Sequence, residues 1–303
     1  MGLLNKKTVL VTGGGRGVGR AIAIAAAEAG ANVAVNDLGV SLTGDSTGDS
    51  PAHEVVAEIE ALGGNAIALT DSVSSWDAAH SMIETTVAKF GAIDAVINNA
   101  GNLRDVIFHK MTEEDFDAVI NVHLKGTFNM SRAAAPFFKQ QNGGAFLHMT
   151  STSGLVGNFG QANYCASKLG IVGMSKAIAL DMQRFGVRSN AVAPFAWTRM
   201  VSSIPAETPE QQKRVDGLKK LVPERLAPFA VAICSDQAKN VTGQVFGVRN
   251  NEIYLFSQSR PIRTAHTSDQ WTPETVIERV FPMFENDFYP LHRSGDVFTW
   301  DPV

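Results

Sequence analysis

A chain of 303 residues, 45% of them hydrophobic, can bury a sizeable core, and the length suits one α/β domain with an appendage. A net charge of −4 leaves no electrostatic footprint for nucleic acid, and the longest apolar stretches are strand-sized or broken by charge and glycine, so no membrane span is expected. Two cysteines, Cys165 and Cys234, argue against a disulfide framework and for a reducing compartment such as the cytoplasm.

The N-terminal residues Met1 to Lys7 are too few before the first strand to form a signal peptide, and Gly2 lacks the Ser or Thr at position 6 that myristoylation needs. Thr8-Val9-Leu10-Val11 reads as a buried parallel strand. It runs into Thr12-Gly13-Gly14-Gly15-Arg16-Gly17-Val18-Gly19 and then a helix of small residues, Arg20 to Ala27. Strand, glycine turn and helix form the context that makes this a dinucleotide fingerprint. Gly13 permits the tight turn, Gly17 lets a pyrophosphate approach the backbone, and Gly19 packs helix on strand. The free N–H groups and dipole of the helix start would hold the phosphates. A second strand, Asn32 to Asn36, ends at Asp37. An acid there hydrogen-bonds the adenosine ribose and repels a 2′-phosphate, which points to NAD. A solvated strand-end aspartate would look the same. Arg16, a basic residue in the glycine turn, would suit NADP instead, but Asp37 should lie against the 2′ position itself.

Residues 41–50 are polar and glycine-rich and read as a surface loop, after which Ser50-Pro51 opens a helix. The strand Ala66 to Leu69 leads to Asp71-Ser72; a helix follows Ser75 and stops at Gly91. Asn98-Asn99-Ala100-Gly101 ends the strand Ala95 to Ile97, and Thr112 caps a long helix that passes through Asn121 toward Phe138. The strand Ala145 to Met149 leads to Ser151, with Ser153 as a rival hydroxyl. Tyr164 and Lys168 stand four apart on a helix that runs to about Phe185 and ends at Gly186. Positions i and i+4 share a helix face, and an ammonium beside a phenol favours the phenolate, although such a pair alone usually marks a solvated helix turn. Pro194 follows Asn190 to Ala193. The segment from Pro194 to Pro223, with Phe195, Trp197, Met200, Val201 and Ile204, suits an apolar flap over a greasy substrate or ordinary packing. The last strand runs over Gln244 to Val248 and continues as Glu252 to Phe256. The histidines, at 53, 80, 109, 123, 148, 266 and 292, include no pair at zinc-like spacing, so no metal is expected.

These marks together resemble the short-chain dehydrogenase/reductase family over roughly residues 8 to 250. Val35 to Gly39, Leu103-Arg104-Asp105, Val122-His123-Leu124 and Gly157 to Tyr164 are similar to the (3R)-hydroxyacyl-CoA dehydrogenase modules of type-two peroxisomal multifunctional enzymes and their bacterial single-domain relatives. The resemblance implies a Rossmann-type, doubly wound parallel sheet. It assigns Tyr164 as general acid/base, Lys168 as the group that orients the nicotinamide ribose, Ser151 as the donor to the carbonyl and Asn121 as holder of a relay water. The family spacing to the tyrosine selects Ser151 over Ser153; for Asn121 the lesser alternative is a helical asparagine bonded to its own backbone. The implied cofactor contacts are Gly13, Arg16, Gly17, Val18, Gly19, Asp37, Leu38, Asp71, Ser72, Asn99, Ala100, Gly101 and Pro194, with Tyr164 and Lys168.

The leading expectation is NAD-dependent oxidation of a (3R)-3-hydroxyacyl-CoA in fatty-acid or steroid side-chain β-oxidation. A 17β-type hydroxysteroid or other secondary-alcohol dehydrogenase is the alternative. A carrier-protein reductase fits less well because of Asp37, and a non-catalytic nucleotide-binding protein because Ser151, Tyr164 and Lys168 all remain. The expected partners are a small-molecule acyl-CoA or steroid and further copies of the chain in a homodimer or homotetramer. Residues 1–256 would form the catalytic domain and 257–303 an extension packed on the core or on a partner subunit. That extension holds Trp271, Phe281, Phe284, Phe288, Tyr289, Phe298 and Trp300, too many aromatics for a tail in water. Thr272-Pro273-Glu274 should start a short helix in it that Pro282 limits.

Overall fold

The computed structural model describes residues 2–40, 50–196 and 208–302, without the side chains of 209–211, 213 and 214. The polar loop at 41–49 and the flap residues Trp197, Met200, Val201 and Ile204 lie outside the described residues.

Seven parallel strands and one antiparallel edge strand form a single sheet in the order β3-β2-β1-β4-β5-β6-β7-β8. The strands are β1 (Thr8–Thr12), β2 (Asn32–Asn36), β3 (Asn65–Leu69), β4 (Ala95–Asn98), β5 (Gly144–Met149), β6 (Val187–Phe195), β7 (Val245–Arg249) and β8 (Glu252–Leu255). Side chains alternate across a strand, so β1 sends Val9 and Val11 to one face and Leu10 to the other. On the first face lie α1 (Gly17–Glu28), α2 (Pro51–Ala61) and α9 (Ala227–Cys234). On the second lie α3 (Trp76–Phe90) and α5 (Gly126–Gln141), with α7 (Ala162–Met182) beside them. This is the doubly wound three-layer arrangement that near-continuous apolar strands demand. The strand order reverses between β1 and β4, and the crevice at the carboxyl ends of these strands is where such sheets bind ligands.

Local signals set the element ends. The Ser75 hydroxyl accepts from the Ala78 N–H at the start of α3, and Gly91 ends it in the left-handed region. Thr112 and Asp115 cap each other at α4 (Glu113–Ile120). A π turn, Asn121–Lys125, joins α4 to α5, so the long helix is continuous but locally widened.

Two expectations need correction. The last strand does not simply continue: Asn250, at φ 56°, and Asn251 fold it back, and β8 pairs antiparallel with β7. Pro282 does not end the extension's helix. Thr272 caps it, a π turn covers Val276–Val280, and Pro282 falls in the first turn of the Phe281–Phe284 helix, so the chain stays helical through Phe284.

Between them, α6 (Thr152–Leu155) and α8 (Pro209–Lys219) flank β5 and the end of β6 in the chain. Among the described residues the extension touches the rest of the molecule where Gln258 donates to the Gly243 carbonyl at 2.7 Å and, further on, at two groups of contacts. Ser294 bonds the Thr152 hydroxyl and donates its N–H to the Gly157 carbonyl, with the Arg293 guanidinium over the Phe159 ring. Phe298 packs among Phe195, Tyr254 and Phe256, and Trp300 bonds Glu252 through its indole N–H while its carbonyl accepts from Arg249. Phe281, Phe288, Tyr289 and Leu291 remain exposed.

Candidate active site

The glycine turn after β1 is shaped by steric limits that only glycine meets. Gly13 sits at φ +60°, where a Cβ would also come within 2.9 Å of the Ala100 Cα. A Cβ on Gly19 would overlap the Gly13 carbonyl oxygen. The Asn99 amide braces the turn from β4, donating to the carbonyls of Thr12 and Gly13 at 3.0 Å each. The Thr12 hydroxyl accepts from the N–H groups of Asn99 and Ala100 at 2.9 and 3.0 Å. Helix α1 then begins with no side-chain cap at Arg16 and no acid in its first turn, so its N–H groups, around Gly17 and Val18, remain open to an anion.

Asp37 follows β2 at the rim of this turn. Its Oδ2 accepts from the Gly15 N–H at 3.0 Å and its Oδ1 from the Gly39 N–H at 2.9 Å. Those two bonds hold the carboxylate in place and leave lone pairs for further donors. Leu38 beside it is exposed. Asp71 is exposed and Ser72 bonds Ser74, while the Asn36 amide ties the Asp71 carbonyl to β2 at 2.9 Å. Gly101 and Pro194 complete the rim at the ends of β4 and β6. The cradle, the open helix start and the fixed carboxylate fit a dinucleotide.

The second half of the site comes from β5, α6 and α7. Ser151 is the N-cap of α6, and its hydroxyl accepts from the Ser153 N–H at 3.1 Å. Ser153 itself is buried and its carbonyl accepts from Cys165. Burial pushes the Tyr164 hydroxyl up to about 12 against the pull of a hydrogen bond with Ser151. Burial also pushes Lys168, 4% exposed, down to about 7. The Lys168 ammonium donates to the Met149 carbonyl at 2.7 Å and lies 5.4 Å from the Tyr164 ring centre. Lys168 is thus on the expected face, yet its direct hydrogen bond goes to the strand, and at the phenol burial outweighs the Ser151 hydrogen bond. Asn163, fully buried, sets the pitch of α7: its amide donates to the carbonyls of Arg104 and Asp115, each at 2.9 Å, and its oxygen accepts the Tyr164 N–H at 2.7 Å.

Asn121 opens the π turn that packs beside α7. It is exposed there, whereas His123, two residues on, is 1% exposed and meets the Tyr164 ring edge-on at 5.2 Å. Residues two apart on a helix do not face each other, so only one can look inward. Val119, His123, Thr127 and Met130 mark the buried face at spacings of four and three, which places His123 inward and Asn121 on the open side. Gly101 makes room for the imidazole, since a Cβ there would strike the ring. Burial drives His123 down to about 3, with the Lys168 charge adding to the effect, so the ring is neutral.

The profile of the family described as short chain dehydrogenase matches residues 7–208. The chain belongs to the short-chain dehydrogenase family. It is 38% identical to a short chain dehydrogenase from Mycobacterium avium, with a TM-score of 0.83 over 95% of this chain and 98% of that one. A structure of 7α-hydroxysteroid dehydrogenase with NADH and 7-oxo glycochenodeoxycholic acid matches at 30% identity and a TM-score of 0.73, over 82% of this chain and 94% of that one. A peroxisomal hydratase-dehydrogenase-epimerase of Neurospora crassa is 37% identical over 287 residues, 94% of this chain but 31% of that protein. This short-chain dehydrogenase is an oxidoreductase, and its family typically uses a nicotinamide dinucleotide. Among the described residues no helix is long and apolar enough to cross a membrane, and no group of three His, Cys, Asp or Glu could hold a metal.

Proposed function

We propose that the chain oxidises a (3R)-3-hydroxyacyl-CoA to the 3-oxoacyl-CoA with NAD, as a step of fatty-acid or steroid side-chain β-oxidation. The observation that carries this reading is the match over 94% of the chain to a protein whose name joins a hydratase to a dehydrogenase. A hydratase adds water across a double bond and leaves an alcohol; a dehydrogenase consumes that alcohol. NAD is favoured over NADP by the Asp37 carboxylate, fixed at the rim by Gly15 and Gly39, where it would repel a 2′-phosphate.

The bound nicotinamide would supply the acceptor for the hydride that leaves the carbinol carbon. Tyr164, as phenolate, takes the proton of the substrate hydroxyl, so the C–H and O–H bonds are lost together and the C=O bond forms. Ser151, hydrogen-bonded with Tyr164, donates to the substrate oxygen as its charge changes. Lys168 supplies the positive charge that favours phenolate and orients the nicotinamide ribose. We assign residues 1–256 to the catalytic domain and 257–303 to an extension, and take the working form to be a homodimer or homotetramer, in keeping with the exposed Phe281, Phe288 and Leu291. Two free thiols suit the cytoplasm.

A second reading, a hydroxysteroid dehydrogenase, is favoured by the match to 7α-hydroxysteroid dehydrogenase. NADH formation from a panel of 3-hydroxyacyl-CoAs of graded length beside free steroid alcohols separates the two. Turnover of the acyl-CoAs is expected; turnover of free steroids alone would replace the first reading by the second.

A further inference from the structure

Lys168 and His123 have complementary unmet hydrogen-bonding capacity. An ammonium carries three N–H donors. At Lys168 one of them reaches the Met149 carbonyl and one falls to the nicotinamide ribose under the proposed function; the residue is 4% exposed, so bulk water cannot serve the third freely. His123 is 1% exposed, and its Nδ1 has no partner. Its Nε2 is taken up by Asn102, 2.8 Å from the carbonyl oxygen and 3.1 Å from the backbone N–H. The two contacts belong to opposite tautomers; with the proton on Nε2 and donated to the closer carbonyl, Nδ1 keeps a lone pair. The Lys168 charge acts on this ring and helps burial to keep it neutral. A buried acceptor left unmet costs free energy, as does a buried cation with unmet donors.

Resting on the reading of Tyr164 and Lys168 as the acid/base pair, we propose that His123 is a positioning residue of the site, whose Nδ1 accepts from one water to which the Lys168 ammonium donates. The water accepts one ammonium N–H and gives one O–H, and no covalent bond changes. The link holds the lysine charged and aimed, while the imidazole edge fixes the tilt of the Tyr164 ring at 86° to its own plane. Gly101 and the π turn seat the ring in this place. Burial keeps the imidazole neutral, so it remains an acceptor across the working pH range. The titratable group that faces both is Tyr164, whose own hydroxyl is pushed up by burial and by Asp105 and Cys165.

Two variants separate this role from simple packing. The amide of His123→Asn falls near the place of Nδ1, and that of His123→Gln near the place of Nε2. If Nδ1 is the working atom, kcat of the Asn variant should exceed that of the Gln variant by about 10-fold, the rate equivalent of one hydrogen bond to a charged group. The Gln variant should also move the limb of the kcat–pH profile that reports Lys168 deprotonation to lower pH. A Gln variant equal to or better than the Asn variant would overturn the proposal and leave His123 as a packed residue held by Asn102. Nitrogen NMR of the full wild-type chain gives a readout that survives a folding defect in either variant. The Nε2–H tautomer supports the link, and the Nδ1–H tautomer overturns it. Tyr164→Phe serves as the control: near-normal turnover there would sink the acid/base reading, while the tautomer would still judge the His123 contact separately.

Discussion

Tyr164 and Lys168 are both shifted against charge by burial, the phenol up to about 12 and the ammonium down to about 7. A buried acid/base with a neighbouring cation is an arrangement that catalysis uses, since each new partner inside a dry site moves its protonation strongly. Tyr164→Phe keeps the ring and removes the transferable proton, so kcat should fall by roughly 10²-fold while dinucleotide binding, followed by fluorescence titration, survives. At Asp37 the fixed carboxylate should make kcat/KM with NAD at least ~10-fold higher than with NADP, about 1.4 kcal/mol of discrimination. Equal turnover with NADP would transfer the decision to Arg16. Glycines, Asp37, Ser151, Tyr164 and Lys168 are legible in the sequence because each sits at a fixed offset from a strand end or from another marked residue. His123 is hidden by its short distance from Asn121. The motif marks Asn121, whereas the helical phase from Val119 to Met130 brings out the buried histidine beside it. Asn163 and Asn102 have no motif at all, for they bond backbone carbonyls and N–H groups brought near only by the fold.

At the scale of elements, a polar chain crosses the apolar sheet. Ser131 on α5 bonds Asn98 on β4, Asn98 bonds His148 on β5, and His148 bonds Ser189 on β6, which meets Ser175 on α7. His148 is completely buried and held at about 3 by burial. The unfolded chain binds a proton at this histidine below its ordinary 6.5, whereas the folded chain refuses it until about pH 3. Stability should therefore fall as pH drops from about 6.5 toward 3, by roughly 1 kcal/mol per pH unit for each such histidine. Urea unfolding at pH 7.5, 6 and 5 measures the slope, and His148→Gln, which does not titrate, should flatten it. An unchanged slope would show that other groups control acid unfolding. Strands, caps and the fold class are legible in the sequence because apolar runs, Ser75, Thr112, Gly91 and Gly186 are local signals with local causes. The β7–β8 turn at Asn250-Asn251 and the π turns at Asn121 and Val276 are less so, since the same residues could continue a strand or a regular helix until tertiary contacts decide.

For the whole molecule, the extension is tied to segments on both sides of the site. Residues 293–294 lie along the stretch between Ser151 and Tyr164, and Phe298 packs on Phe195 just beyond Pro194. Deleting residues 262 to 303 should raise KM for long acyl chains more than KM for NAD, and weaken assembly by sedimentation. A truncated chain with unchanged acyl preference and unchanged sedimentation would reduce the extension to a surface covering. Aromatic content announces that this segment must dock, but the sequence carries no pattern that says where, because its anchors, Thr152, Arg249 and Glu252, are ordinary polar residues elsewhere in the chain. The proposed chemistry makes a stereochemical demand. Only one epimer can align its C–H with the cofactor and its O–H with Tyr164 at once. The most direct measurement is therefore kcat/KM with NAD for (3R)- and (3S)-3-hydroxyacyl-CoA of one chain length. A strong preference for the (3R) epimer is expected, and preferential oxidation of the (3S) epimer would contradict the proposed activity.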